Sequence, residues 1–267
     1  MPELPEVETV ARELRKSILN REIVNIEAIW KKSFENRCKA ELTGQKIVSI
    51  SRKGKYLIFN LFTSSLIVHL RMTGQLLYRE NDHPENVTDY TRVILKLNNG
   101  MLLFKDVRKF GRIYHIENPV EFLAHVGPDA LDKIVTPDYF IKVLRSGKMS
   151  IKAFLMSQKH ISGMGNIYTD EALFLSGIHP AVFTNKISKP KALKLYRNML
   201  FVLNESIKNM GSTISDYRDP AGNKGLNQFY FNVYKQAGKL CKKCGAVIEK
   251  IKFAGRGTHF CPNCQKP

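Results

Sequence analysis

The sequence predicts an α+β chain: an N-terminal β-sandwich with one flanking helix, then a helical segment, then a small cysteine-held module. Three observations predict it. One amphipathic helix is followed by a series of short β-rich runs separated by turn residues. After about residue 130 the apolar period becomes helical. Near the C-terminal end, four of the five cysteines stand in two Cys-x-x-Cys pairs. The corresponding domain boundaries are 1–130, 131–228 and 229–267.

The elements follow in order. From Pro5 to Ile18, the residues Val7, Val10, Leu14 and Ile18 recur at three- and four-residue spacing, the signature of a helix with one buried face. Strands are expected at Ile23–Ile29, Lys46–Arg52, Tyr56–Phe62 and Ser65–Leu70. Asn99-Gly100 between Arg92–Leu97 and Met101–Phe104 is the strongest hairpin signal in the chain. Gly111–Ile116 completes the β block, whose strand spacing suits a sandwich or barrel. Thr136-Pro137 then caps a helix running to Arg145, and Ser150 opens a second. Gly163-Met164-Gly165-Asn166 leads into a third helix, Ile167–Leu175. A long amphipathic helix spans about 190–210, and Ser212–Leu226 has no regular period. A loop of that length in a compact domain is usually functional or mobile.

Charge narrows the function. The 267 residues include 42 Lys or Arg against 24 Asp or Glu, a formal net charge of +18, which favours an anionic polymer as partner, nucleic acid before membrane. No uninterrupted apolar stretch approaches the ~18 residues of a membrane span. The first twenty residues carry four glutamates, so no signal peptide is expected. Cysteine pairs of this kind point to metal in a reducing compartment rather than to disulfides. A cytoplasmic location follows as an expectation.

Several residues carry chemistry. Cys241, Cys244, Cys261 and Cys264 have the spacing of a four-cysteine zinc ribbon; four thiolates fill a tetrahedral shell, so one structural Zn2+ is expected. Cys38 stands apart and reads as an ordinary buried cysteine. From Lys235 to Pro267 there are eight Lys or Arg against one acid, Glu249, which suits a phosphate grip. The glycine-rich turn before Asn166 opens a helix N-terminus where free N–H groups can meet phosphate. Lys55 starts a strand, Met72 stands in a turn, and Arg108 and Phe110 flank Lys109; an apolar wedge beside an arginine is what base-flipping proteins insert into the stack. Pro2 would become a terminal secondary amine once Met1 is removed. An α-amino pKa near ~8 leaves more neutral nucleophile at pH 7 than a lysine. Attack on a sugar aldehyde carbon would give an electron-withdrawing iminium. Glu3 beside it is a candidate proton donor, although Met-Pro alone is simply a rigid approach to a helix, with Pro5 at its first position.

Taken together, these residues resemble the bacterial formamidopyrimidine-DNA glycosylase family from Met1 to Gln265. The anchors are MPELPEVETV at the start, RKGKYLIF at 52–59, HLRMTG at 69–74, DVRKFG at 106–111, GMGNIYTDEALF at 163–174 and GRGTHFCPNCQ at 255–265. The related enzymes of endonuclease VIII type share the Pro-Glu start but differ at the position of Leu4. The resemblance implies a helix-two-turn-helix in the helical segment. It also implies a bifunctional enzyme, a monomer acting on the bacterial nucleoid, that excises 8-oxoguanine and formamidopyrimidines from double-stranded DNA. The same enzyme then cuts the strand at the resulting abasic site.

By position, Pro2 would be the nucleophile at C1′, Glu3 the proton donor to the opening sugar, Lys55 the proton donor for β-elimination, and Arg256 the residue of δ-elimination and phosphate binding. Met72, Arg108 and Phe110 match the trio inserted into the duplex. Asn166, Lys148 and Lys152 match phosphate contacts. The loop around Thr213–Leu226, which contains Tyr217, matches the one that closes on the extruded base. Two positions depart from the family pattern: Tyr90 stands where a phosphate-contacting histidine is usual, and Lys235 replaces a glycine.

Overall fold

The computed structural model describes residues 1–266 except Asp82; for Pro84 only the backbone is considered. Its contacts divide the chain into two compact units, Met1–His125 with Ile207–Gln228, and Val126–Ser206 with Phe229–Pro267. The irregular segment after the long helix therefore belongs with the N-terminal block. The cysteine module belongs with the helices. The sequence shows three stretches in line, whereas packing joins pieces that are far apart in the chain.

In the first unit, α1 (Leu4–Ile18) is followed by β1 (Ile23–Glu27), β2 (Phe34–Asn36), β3 (Ile47–Lys53), β4 (Tyr56–Leu61), β5 (Ser65–His69), β6 (Gln75–Arg79), β7 (Thr91–Leu97), β8 (Met101–Lys105) and β9 (Arg112–Ile116), with a single helical turn α2 (Pro119–Phe122) after them. The strands form a four-stranded sheet, β1-β7-β8-β6, and a five-stranded sheet, β2-β9-β5-β4-β3. Leu76, Val93, Leu95, Leu102 and Phe104 of one sheet share a core with Phe59, Leu66, Val68 and Ile113 of the other. This is the expected sandwich. Val7, Val10, Ala11, Leu14 and Ile18 add the apolar face of α1 to the same core, and Arg52 pairs with Glu8 at 3.0 Å to tie β3 to α1.

The Asn99-Gly100 turn joins β7 to β8 as expected. Gly100 has φ +89°, and a Cβ there would collide with the carbonyl oxygen of Arg79. Two strands were not legible in the sequence. β2 is three residues long and forms by parallel pairing to β9 (Phe34 with Ile113), and β6 by its register with β8 (Gln75 with Lys105). α1 begins one residue earlier than expected. Glu3 is its N-cap, and Pro5 is its second residue rather than its first, a place where the missing N–H costs nothing.

The second unit contains α3 (Pro137–Ser146), α4 (Ile151–Met156), α5 (Asn166–Ser176) and α6 (Lys189–Lys208), whose last two residues belong to the first unit, followed by the antiparallel pair β10 (Glu249–Phe253) and β11 (Arg256–Phe260). Thr136 and Ser150 cap α3 and α4 through their hydroxyls, and Gly177, left-handed at φ +68°, ends α5. Among the described residues no helix is long and apolar enough to cross a membrane.

Candidate functional site

In the first unit the site begins at the N-terminus. Pro2 is buried, and Glu3 and Glu6 are 2% and 1% exposed. Glu3 and Glu6 form a reciprocal capping box, in which the Glu3 amide donates to Glu6 Oε2 at 2.8 Å. The other oxygen of Glu6 accepts from the Ser212 amide at 2.7 Å. Gly211 is left-handed (φ +76°), and a Cβ there would come within 2.9 Å of Glu6 Cγ. One carboxylate therefore fixes both the terminal dipeptide and the start of the 212–226 loop.

That loop is densely bonded. The Gly225 amide donates to Thr213 Oγ1 at 2.9 Å, the Asn223 amide to Asp219 Oδ1 at 2.7 Å, and the Tyr78 amide to the Pro220 carbonyl at 2.9 Å. Gln75 donates its side-chain amide to the carbonyl of Asp216. Tyr217 lies in the loop as expected but is buried, with its hydroxyl 3.2 Å from the Met210 carbonyl. It belongs to the core shared by α1 and the sandwich, and burial pushes its phenol well above the usual range. It roots the loop and is not presented to a ligand, because an aromatic ring gains more from that core than from a loop tip.

The loops at the sandwich edge carry the other expected residues of this unit. Lys55 follows Gly54 in the β3–β4 turn and is 7% exposed. Opposite its neighbour Tyr56 lies His69, edge-on at 4.5 Å between ring centroids. His69 Nδ1 accepts from the Arg71 amide at 2.9 Å, so its tautomer carries the proton on Nε2. Burial, helped by the charges of Arg71 and Lys55, pushes the imidazole down to about 3.

Met72 and Phe110 are 40% and 50% exposed, and the Arg108 guanidinium lies 4.9 Å over the Phe110 ring. Asp106, fully buried, brings their two turns together. Its carboxylate accepts from the Thr73 hydroxyl, from the Arg108 amide at 3.2 Å and from the Gly111 amide at 2.6 Å, and its carbonyl accepts from Arg92 Nε at 2.7 Å. Tyr90 is 53% exposed, and its carbonyl accepts from the Asp106 amide at 2.9 Å.

The second unit has a corresponding cluster. Asn166 opens α5, and its Nδ2 donates to the Gly257 carbonyl at 2.9 Å, beside the exposed Arg256 at the start of β11. Arg256 thus begins a strand rather than sitting inside the turn, which is made by Ala254 and Gly255, both left-handed. Lys148 is exposed. Lys152 is corrected: its side chain is 0% exposed and pairs with Asp170 at 2.6 Å, so it cannot reach a phosphate. The other oxygen of Asp170 accepts from the His259 amide at 2.9 Å, which fixes β11 against α5. Breaking a buried pair of this kind costs about 3–5 kcal/mol. Next to it, Glu171 accepts from the amides of Val233 and Tyr234 at 2.9 and 2.8 Å, and so holds the approach to the cysteine module, Lys235 included, in place.

The four cysteine sulfurs lie within 4.8 Å of one another, with Cys241–Cys264 at 3.9 Å and Cys244–Cys261 at 3.5 Å. Tetrahedral Zn–S bonds of ~2.3 Å require sulfurs about 3.8 Å apart, so the set fits zinc. The amides of Lys243 and Cys264 approach Cys241 Sγ and Cys261 Sγ at 3.4 Å, as thiolate ligands need. Zinc here is structural and leaves no open position for substrate. Cys38 is buried and lies outside the set.

Sequence reasoning missed Asp106, Asp170 and Glu171. Asp106 is a lone acid among basic and apolar neighbours, and Asp170 and Glu171 are an adjacent acidic pair inside the helix α5.

Comparison with known proteins agrees along the whole chain. Residues 1–113 match the Formamidopyrimidine-DNA glycosylase N-terminal domain, 126–218 its H2TH domain, and 238–267 the zinc finger found in FPG and IleRS. A formamidopyrimidine-DNA glycosylase of Bacillus licheniformis is 39% identical over 277 residues, covering 100% of both chains. The structure superposes with a TM-score of 0.92 on a Lactococcus lactis enzyme variant complexed with Fapy-dG-containing DNA, at 40% identity. For the same organism's enzyme bound to abasic-site DNA the TM-score is 0.91 at 39% identity, and both matches cover 100% of each chain.

Two outcomes are expected from this geometry. Because His69 is held neutral with a depressed pKa, the unfolded chain binds the extra proton as pH falls through 6.5. Its contribution is therefore full above pH 6.5 and lost toward pH 3. Urea denaturation from pH 6.5 to 4.5 should show wild type losing about 1–2 kcal/mol more than His69→Gln; equal losses would refute the assignment. Zinc chelation or Cys261→Ser should abolish binding to abasic-analogue duplex while the sandwich keeps its β-sheet circular dichroism, and full binding by zinc-free protein would contradict this. The chain belongs to the formamidopyrimidine-DNA glycosylase family.

Proposed function

We propose that this chain is a base-excision repair enzyme that removes oxidised purines, 8-oxoguanine and formamidopyrimidines, from duplex DNA and then cleaves the strand. The observation that carries the reading is the buried Pro2-Glu3 dipeptide, fixed by the Glu6 carboxylate in a chain similar to this family along its full length. After removal of Met1, the neutral Pro2 amine attacks C1′. The C1′–N bond breaks, its electron pair leaves with the base, and the base takes up the proton that the Pro2 amine gives off on forming its bond to C1′. The C1′–O4′ bond then opens, Glu3 protonates O4′, and an iminium forms between Pro2 and C1′. The iminium draws electrons from C2′, so loss of a C2′ proton expels the 3′ phosphate, with Lys55 supplying the proton. Loss of a further proton at C4′ expels the 5′ phosphate beside Arg256. No cofactor is needed for these steps, and zinc acts by holding β11, and so Arg256, in shape.

Met72, Arg108 and Phe110 fill the space of the extruded nucleotide and offset part of the unstacking cost, a few kcal/mol. Their turns are held together by Asp106, which supports a common wedge. Asn166 and Lys148 grip phosphates; Tyr90 donates a hydrogen bond without the charge of a histidine; Lys152 supports the fold from inside. In function the chain divides into a catalytic sandwich (1–130), a helical DNA-binding segment (131–228) and a zinc finger (229–267). It acts as a monomer on the nucleoid in the bacterial cytoplasm.

Borohydride should trap a covalent complex between the processed protein and 8-oxoguanine duplex, and Pro2→Gly should lower trapping by at least about tenfold. Protein that retains Met1 should bind the duplex and form no adduct. Absence of trapping by wild type with a confirmed N-terminal proline would overturn the mechanism, and faster excision of thymine glycol than of 8-oxoguanine would overturn the substrate class.

A further inference from the structure

The second unit holds a cavity of about 430 Å3 that the repair chemistry does not use. It lies just beyond the C-terminal end of α5. Ile178, Val182 and Phe183 line it, the last 48% exposed, and Lys186, Lys191 and Lys266, all exposed, complete the lining. Its volume is in the range of built ligand sites. α5 has 11 residues, about 16 Å of helix, so the cavity is at the opposite end of that helix from Asn166. A molecule bound there leaves the Asn166 end of α5 open.

The charge around it is uncompensated. α6 begins Lys-Pro-Lys and has no acid in its first turn, although a helix N-terminus is already positive and favours acids there. Among the described residues none of the three lysines has an ion-pair partner within 4.0 Å. Glu249 acts electrostatically on His179 in the cavity wall. Positive charges gathered at a positive helix end destabilise it, and an apolar lining left open in water adds to that cost. Both costs are relieved by one kind of occupant, a segment with carboxylates flanking an apolar side chain. Nucleic acid would satisfy the lysines and leave Val182 and Phe183 uncovered.

We propose that this cavity is a docking site for an acidic peptide segment of a partner protein, with an aromatic or branched aliphatic side chain in the pocket and carboxylates on Lys186, Lys191 and Lys266. None of the lining residues is one assigned to catalysis above, so failure of this proposal would leave the glycosylase reading untouched.

The test uses the full zinc-loaded chain and a fluorescein-labelled Asp-Asp-Glu-Asp-Leu-Phe peptide, read by anisotropy at physiological salt. A chain of charge +18 attracts any polyanion, so the deciding comparisons are between variants. Lys186→Glu/Lys191→Glu should weaken binding at least tenfold, and so should replacing the peptide's Leu-Phe by Ser-Ser. Excision of 8-oxoguanine should stay at the wild-type rate. Lys191→Glu alone, expected to weaken binding at least threefold, serves if the double variant fails to fold. Undamaged duplex should not displace the peptide. Three results would each overturn the proposal: no saturable binding up to about 1 mM, equal affinity for the charge-reversed protein or the Ser-Ser peptide, or displacement by duplex, which would assign the lysines to DNA.

Discussion

The structure depends on one buried carboxylate. Glu6 accepts from the amide of Glu3 and from the amide of Ser212, more than two hundred residues away. The first contact fixes where the chain terminus lies; the second fixes where the irregular loop leaves the long helix. A neutral side chain could satisfy one donor but would present its own N–H to the other, and a buried donor left unmet costs about 1–3 kcal/mol. Gly211 allows the approach, because any side chain there would occupy the space of Glu6 itself. In the proposed mechanism Pro2 is the nucleophile, and Glu6 supplies its support from the chain that follows it.

The same device recurs. Asp106 joins the turns of Met72 and Arg108–Phe110, Asp170 clamps β11 onto α5 with Lys152 as its counter-ion, and Glu171 gathers three successive amides ahead of the cysteines. The chain carries a net charge of +18, yet the groups that organise its loops are acids turned inward. Basic side chains such as Arg108, Lys148 and Arg256 are left at the surface, where a polyanion can be met. Interior acids order the backbone, and these bases remain at the surface.

Much of this was legible locally. The period of Val7, Val10, Leu14 and Ile18, the Asn99-Gly100 turn and the two cysteine pairs each encode an element within a few residues, and each element forms as expected. What escaped depends on partners distant in the chain. β2 exists only because β9 pairs with it. Lys152 reads as a phosphate contact near a helix start until Asp170, eighteen residues on, turns it inward. Tyr217 reads as part of a mobile loop until its ring is found in the core under α1. For the same reason the packing units cut across the order of the sequence.

We infer that the Glu6 carboxylate positions the terminal proline for attack. Single-turnover borohydride trapping on abasic-site duplex, compared between wild type and Glu6→Gln with Met1 confirmed absent from both, tests this. Glu6→Gln should trap at least about tenfold more slowly, with affinity for uncleavable abasic-analogue duplex changed by less than about threefold. Trapping by Glu6→Gln at the wild-type rate would contradict it.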